Sequence, residues 1–138
     1  MDFRWEDGSQ ILPEFWADHQ PDNNAEHCVL IEMKSNEQLN KKSCYFKKDF
    51  ICEYENNEEL DITCADEWDK VDTSCFKLFP NQMWHKANET CQSHDADLLS
   101  IQSLTKFNSV QKYLKKLRLA GNQNDIWVKG FCCCCCLF

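Results

Sequence analysis

The sequence predicts an α+β fold: two helices packed on small antiparallel sheets, with a long irregular loop region. Three observations carry this. Short apolar or alternating runs read as strands at Cys28–Met33, Phe50–Tyr54, Cys75–Phe79 and Ile126–Val128. Two stretches carry helical spacing, over residues 84–94 and after Ser103. Residues 9–27 show neither period and are rich in Pro, Asp, Asn and Gln, the composition of a long surface loop.

Phe3-Arg4-Trp5 alternates and reads as the end of a strand, and Asp7-Gly8 is a turn signal. After the loop comes the apolar strand that opens at Cys28. Residues 34–42 read as a polar, basic turn, and Cys44-Tyr45-Phe46 as the start of another strand. Residues 55–63, ENNEELDIT, are acidic and aperiodic, as in a linker. Beyond them, Cys64–Trp68 and Cys75–Phe79 read as two arms of a hairpin. In the first helix Trp84, Ala87 and Cys91 fall three and four residues apart. Asp97–Ser100 reads as a compact turn. Ser103 is the N-cap signal of the second helix, where Leu104, Phe107, Val110, Leu114 and Leu117 share one face and the lysines mostly lie elsewhere. Gly121-Asn122 is a helix stop.

A chain of 138 residues suits one moderate domain or two incomplete ones. The formal charge of -8 argues against a nucleic-acid partner, which would need a basic surface to displace counterions. That charge is uneven: residues 1–63 hold fifteen acidic and six basic side chains, and residues 64–138 eight and nine. No run reaches transmembrane length. Of eleven Cys, five form one run, Cys132 to Cys136. The other six are dispersed among apolar and aromatic neighbours, the pattern of an oxidised framework rather than of zinc-binding CxxC pairs. No secretory signal accompanies that framework, since the chain opens MDFRWEDGS without a basic and then an apolar region. The conflict suggests that Met1 is not the natural start of the ancestral domain.

Catalytic motifs are missing: there is no HExxH, GxSxG, P-loop or Rossmann fingerprint, so the chain is read as a non-enzyme. His19, His27, His85 and His94 share no metal spacing. Asn88-Glu89-Thr90 is an N-glycosylation sequon, which matters only in the secretory pathway. The basic face of residues 106–118 suits either solvent or an acidic partner.

In chain order, WEDGS, Phe15-Trp16, QPDNN, Glu26-His27-Cys28, Ser43-Cys44 and FICEY resemble the C-terminal half of a C-type lectin-like domain. From CADEW through SCFKL, Trp84, Ala87, Cys91, ADLLSI and Phe107 to IWVKG, the second half resembles the N-terminal half of the same family. The resemblance implies back half 1–54, linker 55–63, front half 64–130 and a Cys-rich, unstructured tail 131–138. A window cut across two tandem domains of a mannose-receptor-like protein would look like this. So would one circularly permuted domain, because the family's termini lie side by side.

The resemblance pairs Cys28 with Cys44 and Cys64 with Cys75, and it places Cys52 and Cys91 at positions that are partners in the family. A single permuted domain would therefore bring Cys52 to Cys91; two half-domains would leave both without their natural partners. For Cys132–Cys136, palmitoylation or soft-metal binding competes with translated non-coding sequence or a truncated gene model. Calcium-dependent members hold an ion on residues that correspond here to Gln20, Asp22, Glu26 and Asn40, where sugar hydroxyls complete the shell. The fifth position, an Asp in the family, is Lys41. At an effective dielectric near 20, an ammonium 4 Å away repels a divalent ion by roughly 8 kcal/mol before screening, less if the side chain swings away. Internal pairing of Lys41 with Asp22 or Glu26 is the expected alternative. The Gln-Pro-Asp order resembles the galactose-preferring type, with Asn24 where that type often carries an aromatic. The resemblance thus implies extracellular recognition of a protein or carbohydrate, with calcium disfavoured by Lys41. A partial, non-functional receptor fragment is the competing class.

Overall fold

The computed structural model describes residues 3–18, 27–34, 36–56 and 63–132. In chain order the strands are β1 (Phe3–Arg4), β2 (Cys28–Glu32), β3 (Gln38–Lys42), β4 (Lys48–Glu55), β5 (Asp69–Val71), β6 (Ser74–Gln82), β7 (Asp97–Leu98) and β8 (Ile126–Cys132). Helix α1 (Trp84–Ser93) follows β6, and α2 (Leu104–Leu119) precedes β8. The strands join one eight-stranded mixed sheet in the order β3-β2-β8-β4-β6-β5, with β1 added on β8 and β7 on β4. All pairs are antiparallel except β4 with β8.

Each face of the sheet supports one helix. Strands buried on both faces read as continuous apolar runs, and β2 shows why: Val29 and Ile31 enter one core while Cys28 and Leu30 enter the other. The first core sets Phe107, Val110, Tyr113 and Leu114 of α2 against Ile51, Phe76, Ile126 and Val128. The second sets Trp84, Ala87 and Cys91 of α1 against Phe50, Cys52, Leu98 and Trp127. Each large apolar side chain so buried contributes about 2 kcal/mol. Two indoles also bridge elements: Trp84 Nε1 donates to the Val128 carbonyl at 2.8 Å and Trp127 Nε1 to the Gln82 carbonyl at 3.0 Å.

Helix α2 starts and stops where its signals stand. Ser103 Oγ accepts from the Lys106 N–H at 3.1 Å, and Gly121, at φ +98°, adopts the left-handed conformation that lets Asn122 N–H return to the Leu117 carbonyl. Tyr113 joins its buried face, whereas Leu104, in the first turn, is exposed. Gly130 answers to packing instead: a Cβ there would stand 3.0 Å from Ile11 and 3.1 Å from Val29.

Several boundaries differ from the sequence reading. The stretch read as a turn over 34–42 contains β3, whose burial alternates because Leu39 and Lys41 point inward; a lysine at a buried position hid the period. Cys44-Tyr45-Phe46 is instead the connection to β4, with Tyr45 and Phe46 exposed. The hairpin before α1 is β5–β6, so Cys64–Trp68 lies ahead of it rather than forming an arm. Asp97–Leu98 pairs with β4 rather than forming only a turn. β8 extends two residues past 130, where Phe131 and Cys132 pair with Arg4 and Phe3; residues 133–136 of the cysteine run lie outside the described residues.

The two halves interleave through this sheet. β4 takes its partners β6, β7 and β8 from residues 64–132. Cys52 is bonded to Cys91 with Cα atoms 5.3 Å apart, while Cys28–Cys44 and Cys64–Cys75 staple shorter loops. Phe15 stacks on Phe107 with centroids 4.2 Å apart. Two ion pairs fasten α2 to the first half: Arg118 to the buried Glu37, and Lys106 to Glu53, at 2.8 Å to each carboxylate oxygen. Ser100 N–H also donates to Glu53, at 3.2 Å. Burial pushes the Glu53 carboxyl above its ordinary range, and the Lys106 ammonium opposes that rise.

Replacing Cys52 and Cys91 by Ser removes a cross-link spanning 39 residues, with an expected loss of about 4 kcal/mol from chain entropy. Urea denaturation checks this, and an unchanged midpoint would contradict it. Lys106→Met should cost about 3 kcal/mol at pH 7 by stranding a buried carboxylate. Because the folded pKa of Glu53 is raised above the unfolded value, its contribution favours the fold below the ordinary glutamate range and is lost as pH rises through the folded pKa. The Lys106→Met deficit should therefore shrink as pH falls through the raised folded pKa of Glu53, already above the ordinary glutamate range, as melts at several pH values would show.

Candidate functional site

The long loop leaves the sheet after β1 and returns at β2. Its first part is tied to β3: Ala17 N–H donates to the Leu39 carbonyl at 2.8 Å, and Trp16 forms a parallel bridge with Leu39. Phe15, Trp16 and Ala17 are buried beneath it, which fixes where the loop sets out. Of the candidate ligand positions, Gln20, Asp22 and Glu26 lie outside the described residues, and so does the expected pairing of Lys41 with Asp22 or Glu26. Asn40 and Lys41 are described.

Asn40 is turned along the sheet. Its Nδ2 donates to Glu32 Oε2 at 2.6 Å, and its Oδ1 accepts the N–H of Lys41 at 2.8 Å. The oxygen that would face a hard cation is therefore engaged by the backbone of the next residue. Lys41 is 2 % exposed and already holds an interaction. The side chain does not swing into solvent, because alternation along β3 sends it inward beside Leu39. Calcium takes six to eight oxygens, several of them anionic. At the two described positions the chain offers one amide oxygen, which already accepts a backbone hydrogen bond, and one buried lysine, which brings no oxygen ligand.

Glu32 connects Asn40 to a polar cleft of about 620 Å³ at one end of the sheet. Four connections meet there, bringing Glu32, Lys48, Asp49, Asn81, Asn124 and Asp125 together. Lys48 faces Asp125 at 3.7 Å, and Asn124 Nδ2 donates to Asp49 at 3.3 Å. Backbone N–H groups of Asn81 and Met33 donate to Asp49 and Asp125, at 3.1 and 3.3 Å. Exposed Lys34 and Lys47 stand at the rim. Mixed charges held by backbone donors make a rigid surface that can pair with hydroxyl, amide or ionic groups. Among the described residues no group of three His, Cys, Asp or Glu is placed to hold a metal. Sequence reasoning missed this cleft because its members sit at strand ends far apart in the chain. The only sequence signal is an acidic residue immediately before a strand's first buried apolar residue, as at Asp49-Phe50 and Asp125-Ile126.

Comparison with known proteins locates this architecture. Residues 1–54 match the family model of the lectin C-type domain. The chain is 24% identical, over an alignment of 139 residues, to C-type mannose receptor 2 of Rattus norvegicus, which covers 91% of the chain. It spans only 9% of that relative's length. No solved structure matches. With an α+β sheet and two helices that join both halves, these similarities support a C-type lectin-like domain.

Proposed function

We propose that this chain is an extracellular C-type lectin-like recognition module that engages a protein or carbohydrate ligand without calcium. The observation that carries the reading is the pair Asn40–Lys41. The amide oxygen already accepts a backbone N–H, and the next side chain is a buried lysine where calcium-dependent relatives carry an acid. The mixed-charge cleft reached through Glu32 supplies a contact surface that needs no ion. Three disulfides among the described residues suit an oxidising compartment. No described helix is long and apolar enough to cross a membrane. The name of the rat relative points to mannose, and calcium-dependent sugar binding through Gln20, Asp22, Glu26 and Asn40 is the reading that the Asn40 geometry disfavours. No catalytic role is proposed.

A second reading concerns organisation. Residues 1–54 and 64–130 are proposed as the back and front halves of the family domain, closed here as a circular permutation through the connection 55–63. The support is the shared sheet and the Cys52–Cys91 bond. In a tandem-domain protein, each half would instead complete itself with a neighbouring segment. The small share of the relative that is covered favours keeping that assembly in view.

The melting temperature should be the same in millimolar calcium and in chelator. A ligand present at a hundred times its dissociation constant adds about 2.7 kcal/mol of stability, so a site tighter than about 10 µM would raise the melt by several degrees at 1 mM. Titration calorimetry with calcium should likewise show no heat of binding at millimolar or tighter affinity. A calcium-dependent rise in the melt would overturn the reading. The absence of any cooperative melt would count against a self-contained module.

A further inference from the structure

Asn88-Glu89-Thr90 is the chain's one Asn-x-Ser/Thr triplet, and it lies in the middle of α1. Trp84, Ala87 and Cys91 bury one face of that helix. Asn88 sits half-buried at the edge of this face, followed by an exposed Glu89. Its Oδ1 faces Nζ of Lys129, which is 3 % exposed and also pairs with Glu6 at 3.2 Å. An ammonium has only hydrogens to give, so the amide atom turned inward is the oxygen. Fixing that oxygen directs Nδ2 the other way, and among the described residues Nδ2 donates no hydrogen bond.

We propose that Asn88 is an N-glycan attachment site and that Lys129 is the positioning residue that holds the glycosylated amide. The inference rests on the reading of the chain as an extracellular module. In the transfer, Nδ2 bonds the anomeric carbon of a lipid-linked oligosaccharide pyrophosphate. The anomeric C–O bond breaks, the lipid pyrophosphate leaves, and Nδ2 gives up one proton. The product keeps both lone pairs of Oδ1, so the bond from Lys129 survives modification. The sugar then projects from the exposed side of α1, and the disulfide from Cys91 to Cys52 beneath is undisturbed.

The test places the full chain behind a cleavable secretion leader in mammalian cells and digests it with peptide N-glycosidase. A mobility shift and conversion of Asn88 to Asp, read by peptide mass spectrometry, are expected. Asn88→Gln and Thr90→Ala should abolish the shift, and Thr90→Ser should keep it. Lys129→Met should leave occupancy unchanged and lower the melting temperature of the glycosylated chain, with a smaller drop in an Asn88→Ala background. Additive losses would remove Lys129 from the assignment. Unshifted chain with all three disulfides formed would overturn the site. Chain retained in the cell is digested in the same way, and no shift there overturns the site as well. Retention with a shift instead counts against the extracellular reading and leaves the site standing.

Discussion

Strand β4 is where two stretches of chain become one structure. It pairs with β6, β7 and β8, all from beyond the acidic connection at 57–62. Its Cys52 is bonded to Cys91 of α1, and its Glu53 receives Lys106 of α2. One strand therefore anchors both helices, one on each face of the sheet. Remove its partners and the apolar faces of β2 and β4 would stand open, with unpaired edges that invite association. Other contacts between the halves, among them Phe15 on Phe107 and Glu37 with Arg118, lie within the frame that these pairings set.

That placement also explains why polar groups tolerate burial here. Glu37 is 2 % exposed and faces Arg118, and Glu53 is met by an ammonium and a backbone N–H together. Such pairs add little net stability over an apolar substitute, but breaking one partner leaves an uncompensated charge. They act as constraints on how α2 sits more than as sources of cohesion. The apolar cores on either side of the sheet supply the cohesion.

Lys41 shows how the pleat places a polar side chain inside the fold. At an inward position of β3, the side chain of this residue is committed by the pleat. The neighbouring amide turns to Glu32, and through Glu32 the polar character continues into the cleft at the strand ends. The groups of that cleft come from several connections rather than from one loop.

The sequence by itself determined the local elements and carried the family resemblance. Apolar spacing marked both helices, with Ser103 and Gly121 at the ends of the second, and continuous apolar runs marked β2 and β8, because these signals are properties of neighbouring residues. The order of Trp, Cys and apolar motifs carried the C-type lectin resemblance of each half. Tertiary structure alone decided what depends on distant residues meeting. It assigned β3, whose alternation is hidden by a buried Lys41, and the hairpin β5–β6, whose first strand is polar and too short to show a period. It also gathered the cleft, since Glu32, Asp49 and Asp125 converge only when three strands align. Whether Cys52 meets Cys91 lay beyond local chemistry too, because both an interleaved sheet and two separate halves satisfy the same propensities. Closure rests on long-range pairing of β4 with β6, β7 and β8.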